Sequence, residues 1–322
     1  MMDHEGTIIV GGGPIGLACA ISARRRAGNP LVIDAGAIVN SIVRYPVQMG
    51  FFTTPELLEI GGHPLVCFSG KPTREEALMY YRGVVRAEGL RVRTYTRLIA
   101  ARRSGGRIVC DVDGLEGPRQ LSCDRLVLAT GYYDNPRSLG VPGEKLPHVS
   151  HYFDEAHRHV GLDIVVIGGK NSAAEASLLL YRAGARVTLV YRGTTFPPSV
   201  KYWVRPDLEN RIAAGEISAR LGAVVEEITP QAVIVRRGNG ERESIRAHRV
   251  FALIGYRPDT DLFRRVGLEI DEATGRPSHD PATLETNVPG VFLAGSVTAG
   301  YRTGDIFIEN GRFDGERIFA KG

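Results

Sequence analysis

The chain has 322 residues, of which 43% are hydrophobic and 24% charged, a composition that fits a globular protein long enough for two domains. The formal net charge is +4, and the basic residues are spread along the chain, all of them arginine except Lys71, Lys145, Lys170, Lys201 and Lys321, so a nucleic-acid surface is not expected. The first residues, MMDHEG, carry no leader pattern and no apolar run reaches membrane-spanning length, so a cytoplasmic protein without a membrane segment is expected.

In chain order, TIIVGGG reads as a strand, PIGLACAISARRRAG as a helix closed by Gly28, and PLVIDAG as a second strand. Helical stretches follow at PELLEI and TREEALMYYRGVVRAEGL; the second puts Ala77, Leu78, Tyr81, Val84 and Val85 on one face. Alternating β segments come next: RVRTYTRLIAARR, RIVCDVDG and RQLSC, then DRLVLATGYYDNP as a strand ending in a turn. Residues 163–192 repeat the opening, with DIVVIGG a strand, KNSAAEASLLLYRAG a helix and ARVTLVYRG a strand. The tail from LETNVPGVFLAG onward reads as a strand, a turn and a final helix. The expected fold is α/β, with two Rossmann-like, three-layer ββα dinucleotide-binding domains. The second is inserted into the first, with boundaries near 155 and 258.

Gly11, Gly13 and Gly16 stand in the spacing G-x-G-x-x-G between a strand and a helix, with Pro14 and Ile15 between the last two. The first glycine permits a tight turn, the second the approach of a pyrophosphate, and the third close packing of helix on strand. The helix N-terminus then favours the anion. Asp34, at the end of the second strand, can accept hydrogen bonds from ribose hydroxyls. The second unit reads Gly168-Gly169-Lys170-Asn171-Ser172-Ala173, with Lys170 where a middle glycine would stand, directed either to a phosphate or to solvent. After the next strand comes Arg192 instead of an acid, and a guanidinium suits the 2′-phosphate of NADPH where a carboxylate would repel it.

Four cysteines are present, Cys19, Cys67, Cys110 and Cys123, with no C-x-x-C pair and no metal-ligand spacing. They read as reduced, mostly buried thiols, with Cys67 the most exposed, and no metal is expected.

The order of motifs, with Ala129-Thr130-Gly131 ending a strand before the second unit and Thr286–Gly295 in the tail, resembles the two-dinucleotide flavoproteins of the thioredoxin-reductase-like group. That resemblance implies FAD on residues 1–154 and 258–322, NADPH on residues 155–257, and a late turn at Gly295 and Ser296 along the flavin's ribityl chain. An aspartate is usual at position 296 in that group. Gly255 matches the glycine where the nicotinamide domain rejoins the flavin domain. Residues Ser41–Pro46 (SIVRYP), ATGYYDNP, VVIGGKNSAAEA and IFIENGRF make the sequence most similar to the bacillithiol disulfide reductase family. By that resemblance Ser41 and Tyr45 join the flavin site, although Tyr45 reads equally as a packed surface aromatic. The N-terminus of the final helix, around Thr303–Ile306, would face the reduced flavin. The family's cysteine after the fingerprint proline is here Ile15, which cannot form a mixed disulfide. Cys19 lies one helical turn further on.

The implied activity passes hydride from NADPH to FAD and on to a disulfide or a small redox protein, with no catalytic acid or base and in a homodimer or higher oligomer. Other readings are a ferredoxin- or flavodoxin-type NADP reductase, a quinone reductase, a flavin monooxygenase and a flavin-based redox sensor. The monooxygenase signature F-x-G-x-x-x-H is absent, and HVSHYFDEAH stands in its place.

Overall fold

The structure is a computed structural model that describes residues 3–26 and 28–320. Two compact units divide the chain. Unit 1 comprises residues through Arg44, Gln48–Asn135 and Tyr256 onward; unit 2 comprises Tyr45–Val47 and Pro136–Gly255.

In unit 1, β1 (Asp3–Val10) leads through a glycine turn into α1 (Pro14–Arg26) and β2 (Leu31–Ile33). The short α2 (Asn40–Val43) and the 14-residue α3 (Arg74–Ala87) follow. A capping box opens α3: the Glu76 amide donates to Thr73 Oγ1 at 3.2 Å, and the Thr73 amide donates to Glu76 Oε2 at 2.7 Å. Then come β3 (Arg91–Arg93), β4 (Arg97–Ser104), β5 (Arg107–Gly114) and β6 (Gly117–Leu128).

The strand order is β3-β2-β1-β6-β5-β4, parallel as far as β6 and antiparallel beyond it. β6 divides one of its edges: residues up to Cys123 pair with β5, and Leu126–Leu128 pair in parallel with a strand of the tail. This splits the layer of strands and gives the three-layer ββα form. α1 is buried nearly all round, from Gly16 to Ile21 and at Ala23, because it lies between the sheet and the last helix of the tail.

Unit 2 repeats the design. Its strands are β7 (Val149–Ser150), β8 (Asp163–Ile167), β9 (Arg186–Tyr191), β10 (Ser218–Leu221), β11 (Val224–Ile228), β12 (Ala232–Arg236), β13 (Arg242–Arg246) and β14 (Arg249–Ala252). Helix α4 (Asn171–Arg182) joins β8 to β9, and α5 (Arg205–Ala213) joins β9 to β10. The parallel sheet runs β10-β9-β8-β14-β7, with β11-β12-β13 as a separate antiparallel layer. Unit 2 begins at Pro136, ahead of the boundary expected near 155, because β7 extends its sheet beside β14 and the Ile228 amide donates to Pro142 O at 2.9 Å.

The chain then returns to unit 1 with α6 (Thr260–Val266), the two-residue pair β15 (Ile270–Asp271) and β16 (Arg276–Pro277), and β17 (Val291–Leu293), the partner of β6. It ends with α7 (Ile308–Gly311) and α8 (Asp314–Ile318).

Three sequence expectations need correction. PELLEI forms only a short 3-10 turn at Pro55–Leu57, and Gly61 and Gly62, both at positive φ, break the run just after it. RVRTYTRLIAARR breaks into β3 and β4, with Tyr95 between them at φ 51°. The final helix is two short helices, and its first amides lie at Ile308, past Thr303–Ile306. Among the described residues, no helix is long and apolar enough to cross a membrane.

Candidate functional site

The turn after β1 is built by exclusion. Gly11 has φ 110°, and a Cβ there would collide with the carbonyl oxygen of Ala129, at the end of β6. A Cβ on Gly16 would collide with Gly11 O, so helix and turn touch backbone to backbone. A Cβ on Gly13 would meet nothing within 4 Å, which leaves open space over the start of α1. Pro14 opens that helix, where its missing N–H costs no intrahelical bond.

Asp34 ties the turn down. Its Oδ2 accepts from the Gly12 amide at 2.6 Å and its Oδ1 from the Gly36 amide at 2.7 Å. Each oxygen keeps a lone pair for a further donor. Burial raises its pKa, against the opposing effect of those two amides. Thr130 Oγ1 is buried and has no hydrogen-bond partner among the described residues. Gly131 and Ser296 meet: a Cβ on Gly131 would stand 4.0 Å from Ser296 Oγ. An open glycine turn, an acid with spare acceptor capacity and an orphaned hydroxyl fit a bound dinucleotide.

Ser41 lies half-buried in α2. Its neighbour Asn40 donates to Asp134 Oδ1 at 3.2 Å, and Arg44 pairs with the same carboxylate at 3.2 Å, contacts that span about ninety residues and leave no mark in local spacing. Tyr45 groups with unit 2.

The late turn is held by a residue not foreseen. Asp314, at the head of α8, accepts from the Gly295 amide at 2.7 Å and pairs with Arg317 at 3.2 Å. Burial raises its pKa, while the Gly295 amide and Arg317 lower it. A carboxylate is therefore attached to this turn from the tail, although position 296 is serine. Ile15 packs into two glycines: a Cβ on Gly295 would lie 2.7 Å from Ile15 Cδ1, and one on Gly311 2.6 Å from it.

In unit 2 the corresponding turn follows β8. Gly168 has φ 145°, and a Cβ there would collide with Leu253 O after β14, as at Gly11. Ala173 takes the third position, its Cβ directed toward the bare Gly168. Lys170 is an exposed N-cap with no side-chain capping bond, and Ser172 is exposed. Asn171, expected to contact the nucleotide, uses its side chain elsewhere. Its Oδ1 accepts from the Lys201 amide at 2.8 Å, and its Nδ2 donates to Ser199 O at 3.1 Å. It positions the loop after β9, and its backbone amide alone remains for a phosphate. Arg192 is exposed at the head of that loop. Gly255, at φ 94°, accepts from the Arg137 amide at 2.9 Å where unit 2 closes.

Cys19, Cys110 and Cys123 are fully buried, and burial pushes the Cys19 thiol up, with Asp314 adding to the effect. Cys67 is half-buried on a loop.

Two sheets, one mixed and one parallel, each with a glycine turn at the carboxyl end of a parallel strand, define an FAD- and NADPH-dependent oxidoreductase with two Rossmann-like units. The chain belongs to the pyridine nucleotide-disulphide oxidoreductase family, whose model matches residues 8–295. It is 44% identical over 320 residues to bacilliredoxin reductase Bdr of Bacillus subtilis (strain 168), covering 99% of this chain and 98% of that protein. The structure of bacillithiol disulfide reductase Bdr (YpdA) from Bacillus cereus is 43% identical, with a TM-score of 0.95 over 98% of both chains. Thioredoxin reductase of T. acidophilum shares the fold alone, at 21% identity and a TM-score of 0.75, over 98% of this chain and 96% of that one.

Proposed function

We propose that the chain uses NADPH to reduce a low-molecular-weight disulfide, or the disulfide of a small redox protein, as the names of its relatives indicate for them. The observation that carries the cofactor assignment is the pair of matching turns, one ending on Asp34 and the other on Tyr191 and Arg192. Unit 1 then takes FAD and unit 2 takes NADPH. We further place the enzyme in the cytoplasm as a homodimer or higher homo-oligomer.

When bound, FAD supplies the chemistry of accepting hydride and passing on electrons. The residues of this chain bind and orient. Gly11, Gly13 and the first amides of α1 receive the pyrophosphate, and Asp34 accepts from a ribose. Thr130 Oγ1 gains the partner it lacks among the described residues. Gly295, held by Asp314, and Ser296 line the ribityl chain. In unit 2, Gly168, Ala173 and the first amides of α4 receive the second pyrophosphate. Arg192 takes the 2′-phosphate that separates NADPH from NADH.

One observation favours a second reading, transfer to a ferredoxin- or flavodoxin-like acceptor. The side chain after the fingerprint proline is Ile15, and Cys19 behind it is fully buried, so neither offers a thiolate to a disulfide.

The test is anaerobic stopped-flow reduction of the yellow protein by NADPH and by NADH, followed by turnover with bacillithiol disulfide, an oxidised bacilliredoxin, a ferredoxin and a quinone. NADPH is expected to reduce the flavin faster at equal concentration, and a disulfide to be the best acceptor. Turnover with ferredoxin alone would establish the second reading. Equal reduction by NADH in both wild type and Arg192→Ala would end the role of Arg192.

A further inference from the structure

The geometry points to Arg237, clamped with Arg220 on the carboxylate of Glu243, as a second guanidinium for the 2′-phosphate of NADPH, beside Arg192. The inference rests on the reading that unit 2 holds NADPH.

A chain of contacts, all within unit 2, leads from Arg192 to Arg237. Arg192 directly follows β9. β10 lies parallel to β9 with Leu221 opposite Tyr191, and just beyond that pair the Gly222 amide donates to Gly193 O at 2.9 Å. The end of β10 is therefore bonded to the residue after Arg192. Gly222 O in turn stands 3.8 Å from where a Gly238 Cβ would be, which sets the turn between β12 and β13 against the same spot. Arg237 begins that turn: its amide donates to Glu241 O at 2.8 Å, and its carbonyl accepts from the Gly240 amide at 2.9 Å.

The side chains converge on Glu243. Arg237 Nε donates to Glu243 Oε2 at 2.7 Å, and Arg220 Nε donates to Glu243 Oε1 at 2.8 Å. Arg220 immediately precedes Leu221, the residue paired with Tyr191. One carboxylate holding two guanidiniums leaves one positive charge uncompensated. It also fixes both heads before any ligand arrives, which reduces the ordering cost of binding. Arg237 uses Nε for Glu243, and its Nη groups have no hydrogen-bond acceptor among the described residues. Those donors suit a phosphate dianion. The side chain is 42% exposed, so a ligand can reach it.

The neighbouring arginine provides a control. Arg236 is part of β12, and its Nε donates to Glu226 Oε1 at 2.7 Å, a carboxylate it shares with Arg242. It belongs to a separate ion cluster.

The test is calorimetric titration of the FAD-loaded protein with adenosine 2′,5′-bisphosphate and with 5′-AMP, which differ by the 2′-phosphate. Wild type is expected to prefer the bisphosphate. Arg237→Ala is expected to weaken bisphosphate binding at least about tenfold, the loss of a hydrogen-bonded charge pair, and to leave 5′-AMP within about twofold. Arg237→Lys should recover part of the loss, and Arg236→Ala should change neither titration. If Arg237→Ala weakens both ligands equally or neither, Arg237 has no such role. If the preference vanishes in Arg192→Ala and persists in Arg237→Ala, Arg192 acts alone. If wild type shows no preference, the NADPH reading of unit 2 fails together with the inference. Should Arg237→Ala lose its flavin or its fold, Arg237→Gln gives the same comparison.

Discussion

Tyr191 stands in unit 2 where Asp34 stands in unit 1. Asp34 follows β2 and accepts from the amide of Gly12; Tyr191 ends β9, and its ring lies against Gly169, the residue that matches Gly12. A Cβ on Gly193 would also meet that ring, at 2.6 Å, and the ring stacks on Phe196 with centroids 6.1 Å apart. A carboxylate is replaced by an aromatic floor, and the arginine comes one residue later.

This packing predicts the effect of a single methyl group. Gly169→Ala should lower stability by about 1–3 kcal/mol, because the half-buried ring must give way to the new methyl group. In a Tyr191→Ser background the same substitution should cost less than half as much, a coupling measurable in urea. Equal costs in both backgrounds would show that the ring does not constrain Gly169.

Asp314 predicts a pH dependence. Burial raises its pKa, so its contribution to stability is full below the ordinary aspartate value of about 3.9 and is lost as pH rises through the raised folded value. Asp314→Asn stays neutral and can still accept from the Gly295 amide. The variant should therefore be more stable than wild type at pH 7, with the advantage shrinking on acidification. Denaturation curves at several pH values check this; a variant less stable than wild type at pH 7 would mean that the ionised form is the preferred one.

Ile15 and Gly311 predict another coupled pair. Gly311→Ala places a methyl group 2.6 Å from Ile15 Cδ1 and 3.2 Å from Ile306 Cγ2. A loss of about 1–3 kcal/mol is expected, reduced when Ile15→Ala is combined with it. Thermal melts of the two single variants and the double variant measure it, and simple additivity would contradict the contact.

Thiol accessibility gives a fourth prediction. In the native protein one cysteine, Cys67, should react promptly with a colorimetric disulfide reagent. Cys19, Cys110 and Cys123, all at 0% exposure, should react slower by at least about a thousandfold, until denaturant is added. Prompt reaction of Cys19 would contradict the packing of α8 on α1, where a Cβ on Gly315 would come 2.7 Å from Cys19 Cα, and prompt reaction of Cys110 or Cys123 would contradict the burial of β5 and β6.

Much of this design was legible in the sequence because its chemistry is local. Gly11, Gly16 and Gly168 are glycine because a Cβ would strike backbone a few residues away or on the adjoining strand. Asp34 could be picked out because it ends the strand beside that turn. The rest depends on contacts that spacing does not encode. Asp314 meets Gly295 from 19 residues further along, and Asn171 meets Ser199 from 28 residues away. Ile15 finds Gly311 only once the tail lies on α1. Arg237 looks like any other arginine in a chain rich in them until the small antiparallel layer turns it onto Glu243. PELLEI stops at a single turn because the two glycines after it, Gly61 and Gly62, take positive φ, a break that lies outside the segment itself.

The division of β6 has a consequence for how the protein is made. The stretch Leu126–Leu128 is synthesised early, yet its partner β17 is Val291–Leu293, more than a hundred residues later. Unit 2 is almost entirely one continuous segment and has all its strands by Ala252. On the ribosome, the domain that comes second in the sequence therefore has all its strands first, while the one begun at the N-terminus keeps an open sheet edge until β17 is made. A stop codon a few dozen residues early would strand the older half of the molecule and leave the younger half whole.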